Sequence, residues 1–132
     1  MRNEEYGMRN ENVIEQKSFD FAVRIVNLYK YLSTDKREFV LSKQLLRSGT
    51  SIGANVSEAE KAHSKADFFA KMTIALKEAN ESFYWIKLLN ATDYLTQAEY
   101  DSLIKDIDEI ISILVAITKT IKNADAEEKS AK

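Results

Sequence analysis

Few residues of this sequence have the type and spacing that catalysis or metal binding requires. His63 is the one histidine and there is no cysteine, so a catalytic triad or a histidine-rich metal site cannot be built from His63 alone. Glu78 and Glu81 are three residues apart, as two carboxylate ligands could be, but no E-x-x-H motif accompanies them. We therefore predict a protein that is not an enzyme and has no cofactor and no metal. A carboxylate metal centre at Glu58, Glu78 and Glu81 is a remote alternative.

Basic residues are concentrated in one part of the chain. Residues 36–65 carry six Lys or Arg against three acids, and residues 99–128 carry eight acids against three lysines, within a net charge of -2. Lys36, Lys43 and Arg47 follow at steps of seven and four, which gives a stripe on one helix face, and Lys61 could extend it. Cations in such a stripe can contact phosphates, so we predict that these four residues bind nucleic acid. Ordinary solvated helix faces are the alternative.

Other polar residues stand in rows that are otherwise apolar. Asn55 occupies a position where Leu or Ile would be expected, and a buried amide of this kind often fixes the register between helices. Lys71 and Glu78 share a row with Trp85, so each is either exposed or paired with another helix or subunit. Arg47 could reach acids on neighbouring helices, and we predict structural ion pairs there. The residues predicted to fix the structure or an interface are Gly49, Ser51, Gly53, Asn55, Glu58, Lys71, Glu78, Glu81 and Trp85.

The segment RSGTSIGANVSEAEKA, residues 47–62, is rich in small residues and could be taken for a loop. It nevertheless belongs to a row that advances by alternating steps of four and three, which predicts a helix from about Lys36 to Ala62. That row consists of Leu41, Leu45, Ser48, Ile52, Asn55 and Ala59. Gly49 and Gly53 each cost such a helix roughly 1 kcal/mol relative to alanine. Because they lie one turn apart, they predict that another backbone approaches closely.

Three further helices follow from the same periodicity. The first begins near Ser18, the third runs from about residue 65 to 90, and the capping box Thr96–Glu99 opens the fourth, which ends near residue 122. We predict an all-α, antiparallel up-down-up-down four-helix bundle over residues 17–122, with a flexible N-terminal arm at 1–16 and a flexible tail at 123–132. The third helix has more apolar rows than one core needs, which predicts a homo-oligomer.

Composition narrows the protein class further. There is no proline and only three glycines, so folds that need many tight turns are excluded. No stretch approaches the roughly 20 apolar residues of a membrane span, and the N-terminus has no apolar signal region. We expect no membrane association. The absence of cysteine suits a reducing compartment, and we predict a cytoplasmic location.

The stretch from Leu45 to Leu89 resembles the bacterial four-helix-bundle family encoded within intervening sequences of 23S rRNA genes, whose members are often labelled ribosomal proteins. The resemblance covers about residues 18–122 and is strongest at Arg47, Ser51–Ile52, Asn55–Val56, Glu58 and Glu81. The family is similar to the accessory variability determinant of diversity-generating retroelements, a homopentamer that binds nucleic acid and a reverse transcriptase. The resemblance therefore implies a pentamer and a role with RNA or DNA. It implies no catalytic residue.

Two hypotheses for function follow. The first is a non-enzymatic homo-oligomer, pentameric by resemblance, that associates with nucleic acid and binds RNA above all. The second is a protein-interaction scaffold that never contacts nucleic acid, for which a protein partner would be the ligand. Reversing the charges of Lys43 and Arg47 should affect only the first, whereas truncating Trp85 or enlarging Gly53 should break the assembly that the second requires.

Overall fold

Four α-helices make up nearly all of the structure, a computed structural model that describes residues 2–131, with side chains described for residues 10–130. The helices are α1 (Arg2–Thr34), α2 (Leu41–Glu60), α3 (Lys65–Ala91) and α4 (Gln97–Ala131). No strand occurs within residues 2–131. The prediction of an all-α fold is confirmed, including helix throughout residues 47–59.

The helices are antiparallel neighbours in chain order. Gly49 and Gly53 of α2 face Ile25 and Ser18 of α1, so α2 runs against α1. Lys71 and Ser82 of α3 contact Glu58 and Ser48 of α2, in the reverse order along the chain. Lys17 and Arg24 of α1 meet Glu109 and Asp106 of α4 in the same reversed sense. Each helix packs on its chain neighbours and α1 closes the ring with α4, which is the up-down-up-down arrangement.

The core is built from the apolar rows that the sequence shows. Leu45, Ile52 and Ala59 of α2 are at most 1% exposed, and the α4 row is buried from Leu103 to Ile117. Burial of this kind supplies most of the stability of a helix bundle, at about 25 cal/mol for each Å² of apolar surface removed from water.

Two predicted helix caps form as expected. The Thr96 backbone N–H donates to a carboxylate oxygen of Glu99 at 2.8 Å, and the Glu99 N–H donates to Thr96 Oγ1 at 3.2 Å. Ser64 Oγ accepts the backbone N–H of Asp67 at 3.0 Å and opens α3. Both motifs satisfy N–H groups that the first turn of a helix leaves unpaired, which fixes where these helices begin.

The start of α2 differs from the prediction, which placed it at Lys36. Arg37 has a positive φ of 53°, which takes the chain out of a helical path. The buried carboxylate of Glu38 accepts the backbone N–H of Ser42 at 2.7 Å and that of Val40 at 3.2 Å. Glu38 therefore caps α2 from outside, and the helix begins at Leu41. Burial acts to raise the pKa of Glu38, but the N–H donors of Ser42, Leu41 and Val40 outweigh it and hold that pKa below its ordinary value.

The outer ends of α1 and α4 also differ from the prediction. Helix α1 begins at Arg2, within the expected arm, and Ile14 is wholly buried, so the core extends beyond the expected boundary at residue 17. Helix α4 continues through the expected tail to Ala131. The tail contains no glycine or proline and is rich in Ala, Glu and Lys, which favour the helix. The expected flexibility of both segments stays a prediction.

Candidate nucleic-acid interface

The outer face of α2 carries three of the four predicted cations. Helical positions that repeat at steps of four and three place Lys43, Arg47 and Lys61 on one face, opposite the buried row. All three are exposed, and Lys36 is exposed on the loop that precedes the helix. At a rise of 1.5 Å per residue, Lys43 and Lys61 lie about 27 Å apart along this face. Between them the face presents Thr50, Ala54 and Ser57.

The acids of this segment do little to neutralise that face. Glu38 is buried at the start of α2, and Glu58 pairs with Lys71 of α3 at 3.2 Å. Glu60 adjoins Lys61, whose charge acts to lower the pKa of Glu60, but a hydrogen bond with Glu15, burial and the charges of Glu15 and Glu11 outweigh it and raise that pKa above its ordinary value. Among the side chains described, no acid lies within 4.0 Å of Lys43, Arg47 or Lys61. Among the described side chains, Lys43 and Arg47 on the outer face of α2, and Lys61 just past its end, are therefore cations without an ion pair, although Glu60 adjoins Lys61.

The glycine row lies on the side of α2 that packs against α1. A Cβ atom at Gly49 would lie 3.0 Å from Cγ1 of Ile25, and one at Gly53 would lie 3.3 Å from the carbonyl oxygen of Ser18. The predicted close neighbour exists, and it is α1 of the same chain. The row therefore packs within one subunit and gives no support to self-association.

Asn55 and Ser51 find their partners within α2. The Asn55 amide is half-buried and donates to the carbonyl oxygen of Ser51 at 2.8 Å, and the Ser51 hydroxyl donates to the carbonyl oxygen of Arg47 at 2.6 Å. Sequence reasoning missed a buried polar contact between α2 and α3. Ser82 Oγ of α3 donates to Ser48 Oγ of α2 at 2.8 Å, and both serines are wholly buried. Ser48 stands in the apolar row of α2, which was the available signal.

The predicted ion pairs are only partly brought together. Lys71 does reach another helix, through Glu58. Glu78 is half-buried and Glu81 is exposed, and in the described part of the chain neither lies within 4.0 Å of a cation. Arg47 is exposed to solvent and does not contact them. The structural or interface roles of these residues stay predictions.

Trp85 lies half-buried on α3 with an unusual indole. Its ring packs edge-on against Tyr84, with centroids 5.1 Å apart and planes at 74°. Its Nε1 is buried and has no hydrogen-bond acceptor. A buried donor without a partner costs free energy, so this site is stable only because the large ring contributes apolar contacts.

Apolar side chains reach solvent on both the α1–α2 and the α3 sides of the bundle. On these two sides the exposed fractions include 64% for Phe19, 57% for Tyr84, 46% for Val23 and 41% for Ile74. Phe19 borders a groove between α1 and α2 of about 460 Å³, which Thr50, Gly53 and Ala54 also line. The excess of apolar rows predicted for α3 corresponds to Ile74 and Tyr84 on its outer side.

No catalytic arrangement is found among residues 10–130. His63 is exposed between α2 and α3, and Glu58, Glu78 and Glu81 do not form a cluster that could hold a metal ion. Within residues 2–131, none of the four helices combines the length and apolar character that crossing a bilayer demands.

The fold and this face define an all-α four-helix-bundle protein that carries exposed cations along the outer face of α2. The chain belongs to the family of 23S rRNA-intervening sequence proteins, which it matches over residues 10–116. It is similar to the crystal structure of a protein of unknown function from the S23 ribosomal protein family of Bacteroides thetaiotaomicron VPI-5482. The two share 57% sequence identity and superpose with a TM-score of 0.82, over 83% of this chain and 98% of the other. No curated protein matches the chain.

Proposed function

We propose that the protein is a non-enzymatic, nucleic-acid-associated module whose ligand is RNA and which acts as a homo-oligomer. The observation that carries this proposal is the line of unpaired cations on the outer face of α2. Lys43 and Arg47 lie one turn apart, and their charges are not compensated by any ion pair within the described chain. Phosphate oxygens are the groups that such a line of cations recognises without base specificity.

The family is consistent with an RNA ligand. Its name refers to sequences that interrupt 23S rRNA genes, and the related crystal structure carries a ribosomal family name. Neither name states what these proteins bind. The expectation of a cytoplasmic location stays a prediction.

Self-association would strengthen weak binding of this kind. Phe19, Val23, Ile74 and Tyr84 expose apolar surface that a second copy could cover. In a cyclic assembly every subunit repeats the α2 stripe about one axis, so cations that are too few on one subunit combine into a larger field. The number of five subunits rests on the resemblance alone.

Binding of a labelled structured ribosomal RNA, followed by fluorescence anisotropy near about 50 mM salt, tests the proposal where electrostatic binding is strongest. The double variant Lys43→Glu/Arg47→Glu should lose most of the affinity and should reduce the dependence of affinity on salt concentration. Lys119→Glu/Lys122→Glu, which reverses two exposed charges on α4, is the matched control and should bind almost as wild type does. Equal effects of the two double variants would contradict a specific role for α2. Absence of binding by the wild type would refute the proposal.

The alternative of a protein-interaction scaffold is favoured by the groove that Phe19 borders. Its apolar lining suits a partner side chain, and it requires no cation on α2. The scaffold predicts that Lys43→Glu/Arg47→Glu retains function and that Trp85→Ala disrupts assembly. A bulky residue at Gly53 no longer separates the two hypotheses, because it would push against the α1 backbone within one subunit.

A further inference from the structure

The loop between α1 and α2 is held firmly in one conformation. The backbone N–H of Asp35 donates to the carbonyl oxygen of Tyr31 at 2.8 Å, and that of Glu38 donates to Leu32 at 2.9 Å. Glu38 is only 8% exposed, and its carbonyl oxygen accepts the Ser42 hydroxyl at 2.7 Å. Together with the capping bonds of its carboxylate, these contacts attach the loop to both flanking helices. The loop therefore presents its outward side chains from a fixed support.

What this loop presents is an aromatic residue between cations. Phe39 is 52% exposed and Val40 is 70% exposed, and neither side chain belongs to the core. Lys36 and Arg37 precede them and Lys43 follows on the first turn of α2, and all three are exposed. What distinguishes Phe39 from the other exposed rings, Phe19 and Tyr84, is that exposed cations both precede and follow it within four residues, so one short segment offers a stacking surface together with phosphate-binding charge.

Arg37 occupies the turn that ends α1. Its φ of 53° lies in the left-handed region, which Gly and Asn adopt readily and which an L residue with a long side chain seldom occupies. The Glu38 N–H that follows Arg37 bonds to the Leu32 carbonyl oxygen at 2.9 Å and closes the end of α1, and a left-handed residue is what that closure requires. Glycine is the usual residue at such a position, and this sequence places an exposed guanidinium there.

We propose that residues 36–43 form a binding site for an unpaired nucleotide of an RNA strand, with the base stacked on Phe39 and the flanking phosphates on Lys36, Arg37 and Lys43. The inference rests on the proposed function. It adds the loop before α2 to the proposed RNA-binding face and specifies that the RNA is single-stranded. Base–aromatic stacking beside cations is how proteins hold single strands, whose bases are free of a partner. The N–H groups at the start of α2 already bond to Glu38, so the phosphates are left to the side chains.

A strand fits these features better than a membrane surface does. The cations continue from the loop down the side of α2 through Arg47 to Lys61. A linear polyanion can follow that line, whereas a bilayer that touches the tip of the bundle would not reach Lys61. Phe39 and Val40 alone also offer little apolar surface for insertion into lipid.

Fluorescence anisotropy with labelled oligouridylate and with a duplex RNA of equal length tests the site. Phe39→Ala should weaken binding of the single strand by about fivefold or more and leave duplex binding unchanged. Val115→Ala truncates an exposed apolar side chain on α4, outside the cationic face and outside the surface proposed for self-association, and is the control, with the oligomeric state of each variant checked by light scattering. Arg37→Gly should weaken binding of both RNAs while the protein becomes no less stable.

The outcomes separate the inference from the proposed function. If the wild type binds both RNAs and Phe39→Ala binds the single strand as tightly as wild type does, the stacking site is refuted and the cationic face stands. If the wild type binds neither RNA, both are refuted. Sedimentation with phosphatidylserine vesicles that is lost in Phe39→Ala, without any binding of oligouridylate, would show that the loop contacts lipid and would also overturn the inference.

Discussion

Replacing Gly49 by alanine should destabilise the bundle, although alanine is the better helix former. The new methyl group would lie 3.0 Å from Cγ1 and 3.1 Å from Cγ2 of Ile25, which is closer than carbon atoms pack without repulsion. Ile25 is 1% exposed and is branched at Cβ, so it cannot easily turn away. Helix α1 must shift or the core must rearrange to admit the methyl group.

The magnitude follows from two opposing contributions. Overpacking a core costs about 1–3 kcal/mol, whereas Gly→Ala within a helix gains about 1 kcal/mol. The difference is a loss of about 0–2 kcal/mol, and we expect a value near the middle of that range. Gly53→Ala should be closer to neutral, because its methyl group would lie 3.3 Å from the Ser18 carbonyl oxygen, a milder contact.

Urea unfolding followed by far-ultraviolet circular dichroism measures these changes, at one protein concentration since self-association would alter the apparent stability. Ala54→Gly is the control, because Ala54 lies exposed on the outer face of the same helix and reports helix propensity alone, about 1 kcal/mol. If Gly49→Ala stabilises the protein by as much as Ala54→Gly destabilises it, then α1 does not press on Gly49 and the close approach of the two helices is wrong.

Four further substitutions test the contacts between the helices and the cap that precedes α2. Glu38→Gln should cost about 1 kcal/mol at neutral pH. The pKa of Glu38 is lowered in the folded protein, so the loss of stability in Glu38→Gln should be present above about pH 4. It should fade as the pH falls through the folded pKa. A loss that persists in acid would count against an ionised cap. Ser48→Ala and Ser82→Ala should each cost about 0.5–1.5 kcal/mol, and the double variant should cost less than their sum because they share one hydrogen bond; strict additivity would argue against that bond. Glu58→Ala should change the free energy of unfolding by less than about 1 kcal/mol, since the Glu58 side chain in its pair with Lys71 is 61% exposed, and a larger loss would mean that the pair is not a surface pair.

Much of the fold could be predicted because its signals are local. The apolar residues of α2 and α4 recur at steps of four and three, which predicts the buried face of each helix without any knowledge of the helix that packs against it. The Thr96–Glu99 capping box acts within one turn and fixed the start of α4 to within a residue. The helix through Gly49 and Gly53 was predictable for the same reason, since periodicity outweighed the low helix propensity of glycine.

The candidate site was only partly predictable. The spacing of Lys43 and Arg47 already places both on one helix face, and the structure leaves that face exposed. Phe39 was missed because its segment was predicted to belong to α2. The Glu38 carboxylate caps the helix from inside that segment, and the spacing of the surrounding residues gives no sign of it. The ion pair of Lys71 was expected without a known partner, which turned out to be Glu58.

The sequence by itself determined the helices, their buried rows, their caps and the segregation of charge, because each of these depends on residues within a turn or two of one another. Only the tertiary structure decided which surfaces face each other. It gave the glycine row to α1 of the same chain, joined Ser48 to Ser82, and left Lys43 and Arg47 without an ion pair among the side chains of residues 10–130. Contacts between helices depend on the rotation and offset of one helix against the next, and residues that are distant in sequence set both.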